Sequence, residues 1–232
     1  MDLFFLLALI GGFLAVDDRA GWQSLLAQPI FASLLVGAIT GEIAAALPVG
    51  LILEFVWLSI LPMRGSRRPD QVLGAIVGSG TACLLAKLAG DPRLLLITST
   101  GAVCGLLAGE IGGRVTNFFF GSLGRSLGRV ELESSQGYAA TATRITWLHA
   151  GSLVYIFAVE TVAVFLSLKL AYTIAEWGTA EAGRFVIEGA AYWSVLVPAL
   201  GAAAVVQMYW RQPLRRLLIL SSVMVILVLW LR

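Results

Sequence analysis

Long uncharged stretches of apolar residues recur along the chain, separated by short segments that carry its charges. A helix that crosses a membrane needs about 20 such residues, so each stretch predicts a span or part of one. The predicted spans are residues 3–16, 20–41 with a continuation to 63, 71–89, 94–109, 145–175, 189–210 and 217–231. The pattern predicts an all-helical, polytopic membrane bundle of about six to eight segments, some of them broken or re-entrant.

The first stretch, residues 3–16, is short for a span. It lacks a basic N-terminal region, and the acidic pair Asp17 and Asp18 follows it where a signal peptide would have a small-residue cleavage site. We therefore expect a short or tilted first helix rather than a cleaved signal peptide.

Composition supports a membrane protein. Hydrophobic residues make up 59% of the 232 and charged residues 13%, and the mean hydropathy of +0.89 lies well above that of soluble domains. Cys83 and Cys104 both fall in apolar segments, where a thiol behaves as a small hydrophobe. No disulfide or metal site is implied, and the net charge of +2 gives no reason to expect a nucleic-acid partner.

The segment from residue 29 to residue 70 is the one around which the chain is organised. It is apolar enough to lie in lipid, yet it contains the carboxylates Glu42 and Glu54. Residues that weaken helices interrupt it: Gly37, Gly41, Pro48 and Gly50. Charged groups in lipid usually face a partner or a watery cavity, and broken membrane helices offer backbone groups to a solute. This combination predicts a transport site.

Charged residues in the loops predict the orientation. The segments 64–70, 112–144 and 210–216 carry three, four and three Arg residues, whereas 176–188 holds three Glu and one Arg. Since basic loops tend to stay cytoplasmic, residues 71–109 and 145–210 are predicted to form hairpins that reach outward and return.

The connection at residues 113–144 divides a single 1–232 membrane domain into an N-terminal half, 1–112, which bears the site, and a C-terminal half, 145–232. The connection interleaves Phe118 and Phe119 with Arg125 and Arg129. This mixture predicts either a helix lying in the membrane interface or a cytoplasmic loop.

One short pattern occurs twice in the chain. The series Gly37, Gly41, Glu42 and Ile43 recurs as Gly105, Gly109, Glu110 and Ile111. This echo is either an internal repeat, which transporters often contain, or a coincidence in a glycine-rich chain.

Four polar residues in apolar segments are candidates for function. Glu54 could accept a hydrogen bond from a hydroxylated solute or could partner an Arg or a backbone N–H; Glu42 has the same two alternatives. His149 and Glu160 are 11 residues apart, on nearly the same face of one predicted helix. They could form a polar stripe with a structural or relay role.

Enzyme chemistry finds little support. No nucleophile has a base at workable spacing, no glycine-rich loop ends in Lys-Ser or Lys-Thr, and the Asp17-Asp18-Arg19 run lacks the third carboxylate of a diphosphate–metal motif. We therefore expect no catalytic residue, no metal and no cofactor in this chain.

An ordered set of residues in the first 70 positions resembles the IIC membrane subunit of the mannose/fructose/sorbose family of bacterial sugar phosphotransferase systems. The matching elements are the pair Asp18-Arg19, Gln23, Pro29-Ile30, Gly37 with Gly41-Glu42, Leu53-Glu54 and Pro69-Asp70. The segment Thr146 to His149 is similar to the family's Trp-Ile-His element, so the resemblance covers most of the chain.

The resemblance implies a sugar-translocating permease subunit in the bacterial cytoplasmic (inner) membrane. Its partners would be a IID membrane subunit and the phosphocarriers IIA and IIB, in a hetero-oligomer, with no phosphoryl carrier in this chain. It also implies that Glu54 and Asp70 bind the sugar, with Asp18 and Gln23 as companions. The basic run 64–68 before Pro69 departs from the family pattern and leaves the sugar open.

Two other functions remain possible on the sequence. One is an ion-coupled secondary transporter that uses Glu42, Glu54 or Glu160 as a relay. The other is a membrane component kept for regulation or scaffolding, whose basic loops recruit phosphotransferase proteins without transport.

Overall fold

The computed structural model describes residues 2–21, 24–57, 69–89, 94–133 and 138–181. Within these ranges every regular element is helical. The elements are α1 (Leu3–Arg19), a 3₁₀ turn (Leu25–Ala27), α2 (Pro29–Thr40), α3 (Ile43–Trp57), α4 (Gln71–Ala89), α5 (Leu94–Glu133) and α6 (Tyr138–Glu181). The prediction of a helical membrane bundle is confirmed. The predicted spans 189–210 and 217–231 lie outside the described residues.

Helices α1 and α6 pack together in opposite directions. The ring of Phe4, near the start of α1, meets that of Tyr172 in an edge-to-face contact with centroids 5.6 Å apart. Further along, a Cβ atom added to Gly12 would lie 2.2 Å from Oγ1 of Thr161. The two helices can therefore approach this closely only because position 12 has no side chain.

Glycine also sets the distance between α4 and α5, which form the predicted hairpin. Gly74 and Gly78 of α4 face Gly101 and Gly105 of α5 across the interface. A Cβ on Gly101 would lie 2.6 Å from the carbonyl oxygen of Gly78, and one on Gly105 would lie 2.7 Å from that of Gly74. The two backbones are thus in direct contact over two turns.

The broken segment forms a tight hairpin of α2 and α3. Gly41 turns the chain with a φ of 81° in the left-handed region, and the N–H of Glu42 donates to the carbonyl oxygen of Gly37 at 2.9 Å. Glycine is the residue that adopts this φ without strain. At about 18 and 22 Å, the two helices are each shorter than the roughly 30 Å hydrocarbon core.

The break is narrower than the sequence suggested. Pro48 lies within α3, one turn after its start, and the helix continues past it. Gly37 and Gly50 also lie within helices, where their lack of a side chain permits close packing. Gly50, for example, faces Ser33 of α2. Only Gly41 ends a helix here, and it is exposed.

The connection at residues 113–144 is mostly helical. α5 continues without interruption to Glu133, and α6 begins at Tyr138. The stretch from 94 to 133 contains no proline, so nothing forces the helix to end near Gly112. At 40 and 44 residues, α5 and α6 are about 60 and 66 Å long and extend well beyond a bilayer core.

Within the described ranges, three helices contain stretches long and apolar enough to span a membrane: Gln71–Leu88, Leu96–Thr116 and Ile145–Trp177. The last ends at an exposed tryptophan, and a second exposed tryptophan, Trp147, stands near its start. These rings lie about 45 Å apart along the axis of α6, which matches the thickness of a bilayer including its headgroup regions. Since tryptophans collect at both interfaces, Trp147 and Trp177 indicate the depth of every other residue.

Candidate functional site

Three helix ends and the last described turn of α3 meet at one depth in the bundle. The backbone N–H of Asp70, just before α4, donates to the carbonyl oxygen of Gly109 at 2.8 Å. The ring of Trp57, the last residue of α3, packs on Gly74 and Gly109. Arg19, the last residue of α1, pairs with Asp70. The start of α2 joins them through a hydrogen bond to α3, described below.

The positions of Trp147 and Trp177 put this meeting point near the middle of the membrane. Glu160, which also contacts Arg19, is about 20 Å along α6 from Trp147 and about 26 Å from Trp177. Helix ends at this depth carry backbone groups that hydrocarbon cannot satisfy. Such ends are therefore expected where protein or water encloses them, as in a transport site.

A cluster of three charged side chains occupies the same place. The guanidinium of Arg19 donates through Nη2 to Oδ2 of Asp70, and its Nη1 lies 3.5 Å from Oε2 of Glu160. The Asp70 and Glu160 side chains are 1% and 0% exposed, and that of Arg19 is 20% exposed. One guanidinium thus bridges the end of α1, the start of α4 and the middle of α6.

Both oxygens of Asp70 are engaged. Oδ2 accepts from Arg19, while Oδ1 accepts the N–H of Leu73 at 3.1 Å and so caps the first turn of α4. An N-cap carboxylate satisfies a backbone donor that has no partner inside the helix. In this arrangement Asp70 fixes the start of α4, and its predicted contact with a sugar stays a prediction.

Glu54 makes a different contact. Its Oε2 accepts the N–H of Ile30, in the first turn of α2, at 3.4 Å. A carboxylate at a helix N-terminus interacts favourably with the helix dipole and with free backbone donors. Glu54 is half-buried, and the contact leaves its Oε1 for a second donor.

Of the remaining sequence candidates among the described residues, Asp18 lies beside this cluster, and Glu42 and His149 lie apart from it. Glu42 is half-buried at the tip of the α2–α3 hairpin, where its carbonyl oxygen accepts from Sγ of Cys83 at 3.6 Å. His149 is exposed while Glu160 is buried, so the two do not form a buried polar stripe although they share a helix face. Asp18 is exposed. Gln23 lies outside the described residues.

Sequence reasoning missed two residues here. Asp17, rather than Asp18, is buried, and its Oδ2 accepts both the N–H of Ser24 at 3.0 Å and its hydroxyl at 2.6 Å. Arg19 was noticed only as half of a motif, not as the partner of Asp70 and Glu160. A lone Arg at the end of an apolar helix, in a chain with several membrane carboxylates, is the signal that could have identified it.

The arrangement offers donors and acceptors suited to a hydroxylated solute. Carboxylates accept hydrogen bonds from hydroxyl groups, and an Arg donates to hydroxyl oxygens. Hydrogen bonds to charged groups contribute about 1.5–3 kcal/mol each, so two or three of them suffice for recognition in an enclosed site.

Comparisons with known proteins agree with these features. A family model described as the PTS system sorbose-specific IIC component matches residues 3–229. Over 70 residues the chain is 31% identical to a protein of Escherichia coli (strain K12) that is provisionally named N-acetylgalactosamine permease IIC component 2. That match covers 30% of this chain and 53% of the other, so it spans about half the length of that relative.

Proposed function

We propose that this chain, which belongs to the sorbose-specific IIC family of the sugar phosphotransferase system, is the sugar-conducting membrane subunit of such a system. The observation that carries the proposal is the family match over residues 3–229. The meeting of three helix ends, at a depth that the spacing of Trp147 and Trp177 puts near mid-membrane, supports it, because solute sites in transporters lie at this depth between interrupted helices.

The chain would work with other subunits. The phosphotransferase partners we propose are a IID membrane subunit and the soluble carriers IIA and IIB, with IIB phosphorylating the sugar as it leaves the channel. In this scheme the chain itself carries no phosphoryl group. We place it, as a protein that crosses the membrane several times, in the cytoplasmic membrane of a bacterium.

The residue we propose to contact the sugar is Glu54. It is half-buried, close to the helix ends, and its Oε1 can accept a sugar hydroxyl while Oε2 holds the start of α2. Asp70 would contribute directly only if it released Leu73 or Arg19. Asp18 and Gln23 remain weaker candidates that rest on the resemblance.

The test is sugar uptake in cells that also produce IIA, IIB and IID encoded with this chain. Labelled sorbose and N-acetylgalactosamine are the first probes, because the two matched descriptions name them. Glu54→Gln keeps the shape and removes the charge, so we expect uptake to fall about ten- to a hundred-fold, the equivalent of about 1.5–3 kcal/mol. Asp70→Asn should also lower uptake.

Glu110→Gln is the matched control, since Glu110 is exposed on α5. Unchanged uptake in both Glu54→Gln and Asp70→Asn would show that the site is assigned wrongly. Loss of Glu54→Gln from the membrane would show that Glu54 is structural, as its bond to Ile30 allows.

A further inference from the structure

The charged cluster raises the question of what Arg19 and Glu160 do. Neither residue is needed to form a helix, and burying charge at this depth is costly unless the charges are well paired. Arg19 lies at the boundary where α1 ends, and its guanidinium reaches both α4 and α6. Such a bridge fixes three helices relative to one another at the depth of the helix ends.

The contacts within the cluster are unequal. Asp70 receives the close bond from Arg19, whereas Glu160 lies 3.5 Å away and neither of its oxygens has a hydrogen-bond partner among the described residues. Asp18, next to Arg19 in the chain, interacts electrostatically with both Arg19 and Glu160. The contact between Nη1 of Arg19 and Oε2 of Glu160 nevertheless ties the guanidinium to α6.

We propose that Arg19 and Glu160 are positioning residues for the sugar site: they orient the Asp70 carboxylate and thereby fix the start of α4 beside the end of α3. The proposal rests on the proposed function for its transport readout. Neither Arg19 nor Glu160 touches the sugar in this scheme. The site requires one guanidinium group between two carboxylates. The guanidinium can come from an Arg on α1 or from an Arg on α6.

This requirement makes a charge exchange informative. Arg19→Glu leaves carboxylates at positions 19, 70 and 160 with no guanidinium between them, and Glu160→Arg leaves two guanidinium groups and one carboxylate. The double variant Arg19→Glu/Glu160→Arg restores one guanidinium and two carboxylates. The matched controls are Arg114→Glu, Glu110→Arg and their double variant, on the exposed face of α5.

Two measurements are made on every variant. The first is the apparent melting temperature of the purified protein in detergent, which requires no sugar. The second is uptake of labelled sorbose and N-acetylgalactosamine in cells with IIA, IIB and IID, normalised to the amount of protein in the membrane. Both KM and the maximal rate are determined.

We expect each single exchange at 19 or 160 to lower the melting temperature and to reduce uptake at least about tenfold. The double exchange should restore the melting temperature and return uptake to within about threefold of the parent, as coupled residues do. The single control changes report the cost of altering a charge on an exposed face, and their double variant should show no comparable recovery. A double variant that melts like the parent but does not transport would overturn the proposal, because Arg19 would then be needed in its own position. Failure of the double variant to regain its melting temperature would overturn it as well.

A milder substitution separates positioning from a purely structural role. Glu160→Gln keeps the shape of the side chain but replaces the carboxyl group beside Arg19 with an amide. We expect KM to rise several-fold while the maximal rate per protein molecule stays within about twofold of the parent. An unchanged KM with fewer folded molecules would contradict a positioning role.

The outcome for this cluster can be told apart from that of the proposed function. If the parent protein takes up neither sugar, the proposed function fails for these substrates, whereas the melting temperatures still report whether the charges at 19 and 160 are coupled. If the charges at 19 and 160 are coupled but the protein transports neither sugar, the two residues have a structural role and do not position a site for these sugars.

Discussion

The contact between α4 and α5 allows a prediction with a worked magnitude. A Cβ atom on Gly105 would lie 2.7 Å from the carbonyl oxygen of Gly74, 2.9 Å from Cδ1 of Leu53 and 3.2 Å from Cα of Gly78. Two of these three atoms belong to a backbone that cannot move without shifting α4. Alanine at this position must therefore push the two helices apart.

The expected size follows from two opposing effects. Overpacking a close interface costs about 1–3 kcal/mol, whereas alanine in place of glycine within a helix stabilises by about 1 kcal/mol. Because the clash involves backbone atoms, we place Gly105→Ala toward the upper end of the first range. We therefore expect a net destabilisation of about 1–2 kcal/mol.

Gly151 provides the control, because it lies inside α6 and a Cβ there would meet nothing within 4 Å. Gly151→Ala carries the helix-propensity gain without the clash, so it should stabilise the protein by up to about 1 kcal/mol. Melting of both variants in detergent, followed by the loss of monodisperse protein on gel filtration, compares them directly. A Gly105→Ala variant as stable as Gly151→Ala would refute the close backbone contact.

Three further predictions test other parts of the fold. Gly41→Ala should destabilise by about 1–2 kcal/mol because the φ of 81° disfavours a side chain, whereas Gly41→Asn should cost less in the same melting assay. In variants that retain Trp147 or Trp177 as their one tryptophan, the tryptophan fluorescence should be quenched most by lipids brominated near the headgroup. Stronger quenching by lipids brominated deep in the acyl chain would contradict the assigned depth. Thr81→Val should stabilise by about 1 kcal/mol because the buried Thr81 hydroxyl has no partner among the described residues, whereas Thr40→Val should not, since that hydroxyl donates to Val36.

The features that the sequence predicted well are those that depend on local chemistry. Long apolar runs predict helices in lipid, and three of them have the length to span it. A break in this segment was also predicted, at Gly37, Gly41, Pro48 and Gly50, and of these positions Gly41 ends a helix. Pro48 was expected to contribute to the break but lies inside α3, which continues past it.

The features that the sequence did not predict depend on which helices meet. Asp17 and Asp18 are adjacent, and a helical period can direct either of them inward. Only the packing of α1 decides that Asp17 is buried. Likewise, Glu160 and His149 share a helix face, but α1 covers only the part of α6 that contains Glu160. The pairing of Arg19 with Asp70 joins residues 51 positions apart, and no pattern along the chain indicates it.

The short pattern Gly-x-x-x-Gly-Glu-Ile, which occurs twice in the chain, also shows that a local sequence does not decide which helices meet. Gly41 ends a helix in the left-handed region, whereas Gly109 lies within α5 and its carbonyl oxygen accepts from Asp70. The same short sequence therefore makes a turn in one place and a helix contact in the other. The conformation is decided by the residues that surround each copy, so the echo does not correspond to a structural repeat.

The charges and the helix ends share one depth for a physical reason. A helix that stops inside hydrocarbon leaves backbone donors and acceptors that only protein groups or water can satisfy. Asp70 supplies an acceptor for the start of α4 and Glu54 one for the start of α2, so each carboxylate compensates for an interrupted helix. Each carboxylate then needs a donor or a counter-charge of its own, which Arg19 provides for Asp70. A solute with several hydroxyl groups could take over some of these contacts, and at mid-membrane it would be equally distant from both sides.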